Sequence, residues 1–175
     1  MFLIEPCCTQ KHWPALRERI GEDGTIMFHG YGDLSLEELL PVVLTRYSGV
    51  DMMLVCPSLP NATAGLLLKW LERKWADGDG NSTHNIISRL AVLTDLRKKK
   101  SPTASAWLKN NPYPGRLILH DVQQNDTAIL LPDLAVHGAF NLVPNGHFTA
   151  IASTNANFIA NLKEVYSGLV RRRDL

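Results

Sequence analysis

Short apolar runs alternate with amphipathic stretches along the first two-thirds of the chain. Turn-forming residues bound these runs, which have the length of buried strands and lie at residues 25–28, 50–55, 90–93 and 116–119. Between the first two runs, apolar residues recur at helical spacing from Leu36 to Tyr47, behind a capping box of Ser35 and Glu38. Pro41 should kink this helix without ending it, because the apolar stripe continues beyond the proline.

Helical signals also occur outside this stretch. Trp13 to Ile20 repeat at helical spacing, and Asn61 is placed to cap a helix whose apolar side runs to Trp75. Residues 101–108 begin with a serine cap and a proline, which predicts a short helix. Residues 77–85 form a surface loop by composition. Helices therefore alternate with strands as far as the fourth apolar run.

The chain from Asn125 to Ser153 has a different pattern. It holds three short apolar runs, which Pro132-Asp133 and the turn at residues 144–146 separate. Such runs predict strands joined by tight connections, without helices between them. A long apolar stripe then follows from about Asn155, which predicts a closing helix.

These patterns together predict that residues 1–175 form a single α/β domain. Alternation favours a mixed, mostly parallel sheet with helices on both faces, and the closing strands should add antiparallel members near the C-terminus. The formal net charge is +1, so no global field draws the chain toward nucleic acid or an anionic membrane.

The cysteines argue for a reducing compartment. There are 3 of them, Cys7, Cys8 and Cys56, an odd number with two adjacent and no CxxC spacing. The N-terminus lacks the basic and apolar regions of a signal peptide, and nowhere do eighteen apolar residues run together. We therefore expect a cytoplasmic protein without a membrane partner.

A glycine-containing turn at residues 29–33 is the first candidate site. Gly30 and Gly32, with Ser35 at the following helix start, could offer backbone donors to a phosphate. Ser35 stands where the GxGxxG motif has its third glycine, and the lysine of a P-loop is missing. The alternative is a simple strand-to-helix turn, and no cofactor is predicted.

Two short basic clusters form a second candidate. They could together hold a polyanion backbone, although as solvated charge they need no special explanation. Their members are Lys98, Lys99, Lys100, Arg171, Arg172 and Arg173. Nucleic acid is thus an alternative partner.

Motifs for other common chemistries are missing. The chain has no GxSxG nucleophile elbow, and His137 and His147 lack the partner spacing of zinc ligands. No metal is therefore predicted, and each histidine can be explained as a neutral side chain bonded to backbone.

The order of elements from Thr25 onward resembles one half of the phospholipase D-like superfamily. Members of that superfamily carry an HxKxxxxD motif, then GSxN on the next strand, then a further strand and a long helix. Residues 126–133 align with the HxKxxxxD motif, and residues 138–141 align with GSxN. Asp133, Gly138 and Asn141 keep the residue types of the superfamily.

The resemblance implies what this chain has lost. In the superfamily, the histidine attacks a phosphodiester while lysine and asparagine hold the developing negative charge. Asp126 stands at the histidine position and Ala128 at the lysine position. Shifting the register to His120 places Val122 and Thr127 at the lysine and aspartate positions. We therefore expect a non-catalytic binding or assembly domain. A homodimer is also expected, because active relatives join two halves.

Two enzyme or ligand alternatives remain open. A phosphodiesterase-type hydrolase could have relocated its chemistry to histidines near one edge of the sheet, together with Asp133 and Asn141. The candidate histidines are His29, His120, His137 and His147. A doubly wound nucleotide binder would instead use Gly30 to Ser35.

Overall fold

The structure is a computed structural model that describes residues 2–6, 20–31, 36–44, 47–76, 83–96, 106–107, 109–139 and 147–171. Its strands are β1 (Phe2–Pro6), β2 (Thr25–Tyr31), β3 (Val50–Cys56), β4 (Lys74–Ala76), β5 (Thr83–Asn85), β6 (Ile87–Thr94), β7 (Leu117–Asp121), β8 (Thr127–Leu130), β9 (Ala135–Ala139) and β10 (His147–Ser153). Its helices are α1 (Leu36–Leu44), α2 (Asn61–Glu72) and α3 (Ala156–Arg171). Within these ranges, no helix is long and apolar enough to cross a membrane.

Eight strands form one sheet in the order β1-β2-β10-β9-β8-β3-β6-β7, and β4 pairs with β5 in a separate ribbon. The α/β class and the antiparallel C-terminal strands are confirmed. The expectation of mostly parallel pairing is wrong, because β1–β2, β3–β6 and β6–β7 are parallel whereas β2–β10, β10–β9, β9–β8 and β8–β3 are antiparallel. The reason is that the three closing strands are inserted into the middle of the sheet.

Helices cover both faces of the sheet, as expected. Successive residues of a strand face opposite sides, and β3 shows this clearly. Leu54 and Cys56 belong to a core that includes the buried side chains of α1 and α2, whereas Val55 packs in a second core with Ile159 and Tyr166 of α3. Pro41 lies inside α1 without ending it, as predicted.

The C-terminal strands enter the sheet through tight, well-bonded connections. Leu131 N donates to Leu134 O over 2.9 Å, which closes the β8–β9 turn around Pro132 and Asp133. The Ser153 hydroxyl then donates to Gly24 O over 2.9 Å, at the end of the seven-residue β2–β10 ladder. These bonds hold the start of β2 against the end of the chain's last strand.

Cap residues and one guanidinium position the helix ends. Asn155 Oδ1 accepts a 2.8 Å bond from Phe158 N, which is the arrangement expected of an N-cap at the start of α3. Arg116 Nη2 donates to Leu71 O and Ile87 O, each over 2.8 Å. This guanidinium therefore ties the C-terminal end of α2 to the start of β6.

Several local predictions were wrong. Asn61 is the first helical residue of α2, and Pro60 is the N-cap without a side-chain bond. Trp75 lies in β4 rather than in the helix, because Arg73 leaves the helical conformation and the chain turns into the ribbon. The predicted loop at 77–85 ends in strand β5. Residues 7–19, Ser35 and most of 101–108 lie outside the described residues.

Gly138 occupies a position that accepts no side chain. Its φ is +157°, and an added Cβ would stand 2.1 Å from Thr149 O and 2.7 Å from the Cα of Ala150. Because both contacts are with backbone of the paired strand β10, the clash cannot be relieved by a rotamer change. The close approach of β9 to β10 therefore explains this glycine.

We expect Gly138→Ala to lower the free energy of unfolding by about 3 kcal/mol or more, because β10 must move to admit the methyl group. Denaturant titration measures this change. Gly168→Ala in α3 is the matched control, since nothing lies within 4 Å of its added Cβ. It should raise stability by about 0.5–1 kcal/mol through helix propensity. Equal effects at the two glycines would contradict the structural explanation.

Candidate functional site

Most strands of the sheet end at the same edge. Strands β2, β3, β6, β7 and β9 finish at this edge, and the reversed strands β8 and β10 begin there. We call it the carboxyl edge. In open α/β sheets, ligands bind in the crevice beyond the carboxyl ends of the strands, so this edge is the candidate site.

The structure places several of the predicted site residues at this edge. Gly30 ends β2 with Tyr31, His147 begins β10, and Gly138 pairs with Thr127 at the start of β8. Asp126 immediately precedes β8. Residues outside the described ranges are Gly32, Ser35, Lys98, Lys99, Lys100, Asn141, Arg172 and Arg173.

Asp126, His137 and Tyr166 form a group at the carboxyl edge. His137 Nε2 lies 4.0 Å from Asp126 Oδ2, and the two side chains are 27% and 61% exposed. The His137 ring also contacts the Tyr166 ring, with centroids 6.2 Å apart and planes inclined by 52°. Because both side chains are solvated, a contact at this distance contributes little to stability. Its significance is the exposed polar surface that it presents.

Tyr166 supplies this group with a neutral hydroxyl. Burial raises the pKa of Tyr166 to about 12, and the nearby negative charge of Asp126 adds to the rise. The side chain is buried beneath α3 in the same core as Val55 and Ala128. The phenol therefore stays protonated at physiological pH and can donate a hydrogen bond.

His120 lies on the same face of the sheet as His137, but far from it. The strand registers pair His120 with Leu93, then Val55, then Ala128, and finally His137. Four strand spacings separate the two histidines by roughly 19 Å. The structure therefore does not bring these two candidates into one site.

Asp133 lies at the opposite edge of the sheet from Asp126. The whole of β8 separates the two carboxylates, and its four residues correspond to roughly 13 Å of extended chain. Asp133 Oδ1 accepts a hydrogen bond from the Tyr47 hydroxyl, so it links the β8–β9 turn to the residues that lead into β3. Asp126 and Asp133 thus lie at opposite edges of the sheet.

Sequence reasoning missed a buried polar set at the carboxyl edge. Thr94 and Asp95 at the end of β6 are buried, and so is Cys56 at the end of β3. Burial raises the pKa of the Cys56 thiol to about 12, a rise that the Thr94 hydroxyl partly offsets. The connection after β7 also contains Gln124, whose side-chain amide is buried. Only strand neighbours, which the sequence does not specify, could have revealed this set.

Metal chemistry finds no support in the described ranges. There, no group of three or more histidine, cysteine, aspartate or glutamate side chains is arranged to hold a metal ion. The carboxyl edge instead offers hydroxyl, amide, imidazole and carboxylate groups. These groups can bind polar molecules through hydrogen bonds.

No protein-family model matches the chain, and no curated protein matches it. Among solved structures, the chain is similar to TrmBL2, an archaeal chromatin protein whose structure shows a mode of DNA binding. The two are 11% identical with a TM-score of 0.52, over 89% of this chain and 54% of that one. The chain thus spans about half of that protein, and at this identity the likeness shows a shared fold alone.

The raised pKa of Tyr166 has a measurable consequence. The folded protein holds the phenolic proton more tightly than the unfolded chain, in which the pKa of a tyrosine is near 10. Its contribution to stability is therefore complete below pH 10 and is lost as the pH rises through about 12. Ultraviolet titration of the wild type and of Tyr166→Phe should isolate this phenolate. Asp126→Asn should lower the pKa of Tyr166, and an unchanged value would show that Asp126 does not act on the phenol.

Proposed function

We propose that this chain is a non-catalytic binding domain, related to a phospholipase D-like half, whose ligand meets the carboxyl edge of the sheet. The observation that carries the proposal is the burial of Ala128, which stands at the position of the superfamily's lysine. Ala128 is 0% exposed there, so the position has no cation and no access to a ligand.

The surroundings of Ala128 support this interpretation. It packs in the α3-side core with Val55, Ala135 and Tyr166, and it pairs with Val55 and His137 across the sheet. A lysine in this apolar layer would lose its hydration without gaining a buried counter-charge. The position is therefore built for packing rather than for holding a phosphoryl group.

The charge beside this position also disfavours phosphodiester cleavage. Asp126, at the position of the superfamily's histidine, is 61% exposed and presents a carboxylate next to His137. A carboxylate repels the anionic phosphodiester and cannot offset the charge that develops during attack. An edge of this kind suits recognition of uncharged polar molecules better than phosphoryl transfer.

Hydrolysis of bis(p-nitrophenyl) phosphate tests the non-catalytic part of the proposal. We expect the purified protein to release p-nitrophenol at the background rate, and Asp126→Ala and His137→Ala to leave that rate unchanged. Heat-unfolded protein is the control for adventitious turnover. Hydrolysis by the wild type that disappears in either variant would overturn the proposal.

A second candidate function is association with nucleic acid. The fold likeness to TrmBL2, a chromatin protein that binds DNA, favours it. The basic clusters at residues 98–100 and 171–173 are the residues that it would use. Binding of this kind neutralises phosphates and therefore weakens steeply with added salt.

Fluorescence anisotropy with a labelled DNA duplex tests this second function. Replacing Lys98, Lys99 and Lys100 together by alanine should reduce the log–log salt slope by about 0.9 for each phosphate that the protein no longer neutralises. The matched control replaces three exposed lysines elsewhere, Lys69, Lys74 and Lys109. Absence of binding at low salt, or an equal reduction in the control, would argue against a specific role for this cluster.

A further inference from the structure

The side-chain amide of Gln124 is buried without hydrogen-bond partners. Neither its Oε1 nor its Nε2 is paired within the part of the chain that the structure describes. A carboxamide offers two donor hydrogens and an acceptor oxygen, and burying them unpaired destabilises the folded state. An unpaired buried group of this kind calls for an explanation, and the recognised explanations include a bound water or ion and a catalytic role.

Gln124 lies in the link of residues 122–126, which crosses the carboxyl edge. The link joins β7 to β8, and β6 and β3 lie between those strands in the sheet. Three strand spacings amount to about 14 Å, which the link can span only in a fairly extended form. Val122 N donates to Thr94 O over 2.9 Å, so the first residue of the link is hydrogen-bonded to the end of β6.

The strand ends next to the link are polar and buried. Thr94 is 0% exposed, and its hydroxyl lies beside the Cys56 thiol, whose pKa it lowers through a side-chain hydrogen bond. The neighbouring Cys56 thiol is buried, and its raised pKa keeps it neutral. Buried polar atoms of this kind accumulate where a ligand or an ordered water completes the hydrogen bonding.

Charge at this edge limits what such a ligand can be. Asp95 at the end of β6 is buried, Asp121 accepts a bond from Leu96 N, and Asp126 is exposed at the end of the link. The exposed Asp126 places negative charge beside the link and so disfavours an anion there. The amide itself is matched by a partner that places a donor beside an acceptor, as in bidentate pairing of glutamine with adenine.

We propose that Gln124 is the recognition residue of a binding site at the carboxyl ends of β3 and β6, for a small uncharged molecule with a hydrogen-bond donor adjacent to an acceptor. A carboxamide and a nucleobase edge share this chemistry. The proposal deepens the binding function proposed above and rests on it for the assignment of the carboxyl edge. It adds the class of ligand and the residue that recognises this ligand.

Nuclear magnetic resonance of the ¹⁵N-labelled full chain tests the site directly. The side-chain NH₂ signals of Gln124 are assigned through the backbone and confirmed by their disappearance in Gln124→Met. Adenine, uracil, propionamide and inorganic phosphate are titrated separately. We expect saturable shifts of the Gln124 signals with at least one uncharged probe and none with phosphate. The response to adenine or uracil against propionamide distinguishes a nucleobase from a carboxamide.

Substitution provides the second measurement. Gln124→Met replaces the unpaired amide by an apolar side chain of similar length, so it should raise the melting temperature of the ligand-free protein by about 2–4 °C. It should also abolish probe binding. Gln123→Met is the matched control, because Gln123 is the adjacent glutamine and is exposed. We expect it to change neither the melting temperature nor the titration.

Two results would overturn this proposal. One is the absence of any Gln124 shift with the uncharged probes, which the wild type alone can reveal. The other is a lower melting temperature for Gln124→Met, as expected if a structural water already satisfies the amide. Phosphodiester hydrolysis by the wild type would instead remove the non-catalytic function and leave the Gln124 titration unaffected.

Discussion

The gap between β2 and β3 is the constraint on which the rest of the structure depends. These two strands flank α1 in the chain and point in the same direction, yet β10, β9 and β8 lie between them in the sheet. Neither strand can complete its backbone hydrogen bonding until the last third of the chain arrives. The bonds of Ser153 and Thr154 to Gly24 hold this insertion in register, so the two ends of the fold stabilise each other.

The same insertion creates the candidate site. Because β8 and β10 run against the other strands, their first residues meet the last residues of β2, β3 and β9. Asp126, immediately before β8, thereby comes within 4.0 Å of His137 in β9. The link that carries Gln124 must also cross the ends of β6 and β3, since its two strands are not neighbours. A polar edge is therefore a direct consequence of the strand order.

Strands and helices were predictable where one physical signal dominated. The apolar runs of β3 and β8 and the stripe of α3 needed only burial and periodicity, and Pro132-Asp133 specified the turn between β8 and β9. Partner choice was not predictable, because a short apolar run fits beside any similar strand. For this reason Asp126 and Asp133 looked like neighbours in sequence, although a full strand separates them. Gln123 and Gln124 likewise differ only in burial, which depends on the complete fold.

The core and the edge of this sheet answer to different constraints. TrmBL2 shares the fold at 11% identity, and an apolar layer such as the one around Ala128 tolerates such divergence while volume and patterning persist. Exposed groups at the carboxyl edge have no such packing constraint, so their chemistry can change without changing the strand order. Ala128 belongs to the packed layer, and the exposed Asp126 belongs to the edge. The position of Ala128 is thus committed to packing, while the neighbouring edge is free to carry exposed polar groups such as Asp126.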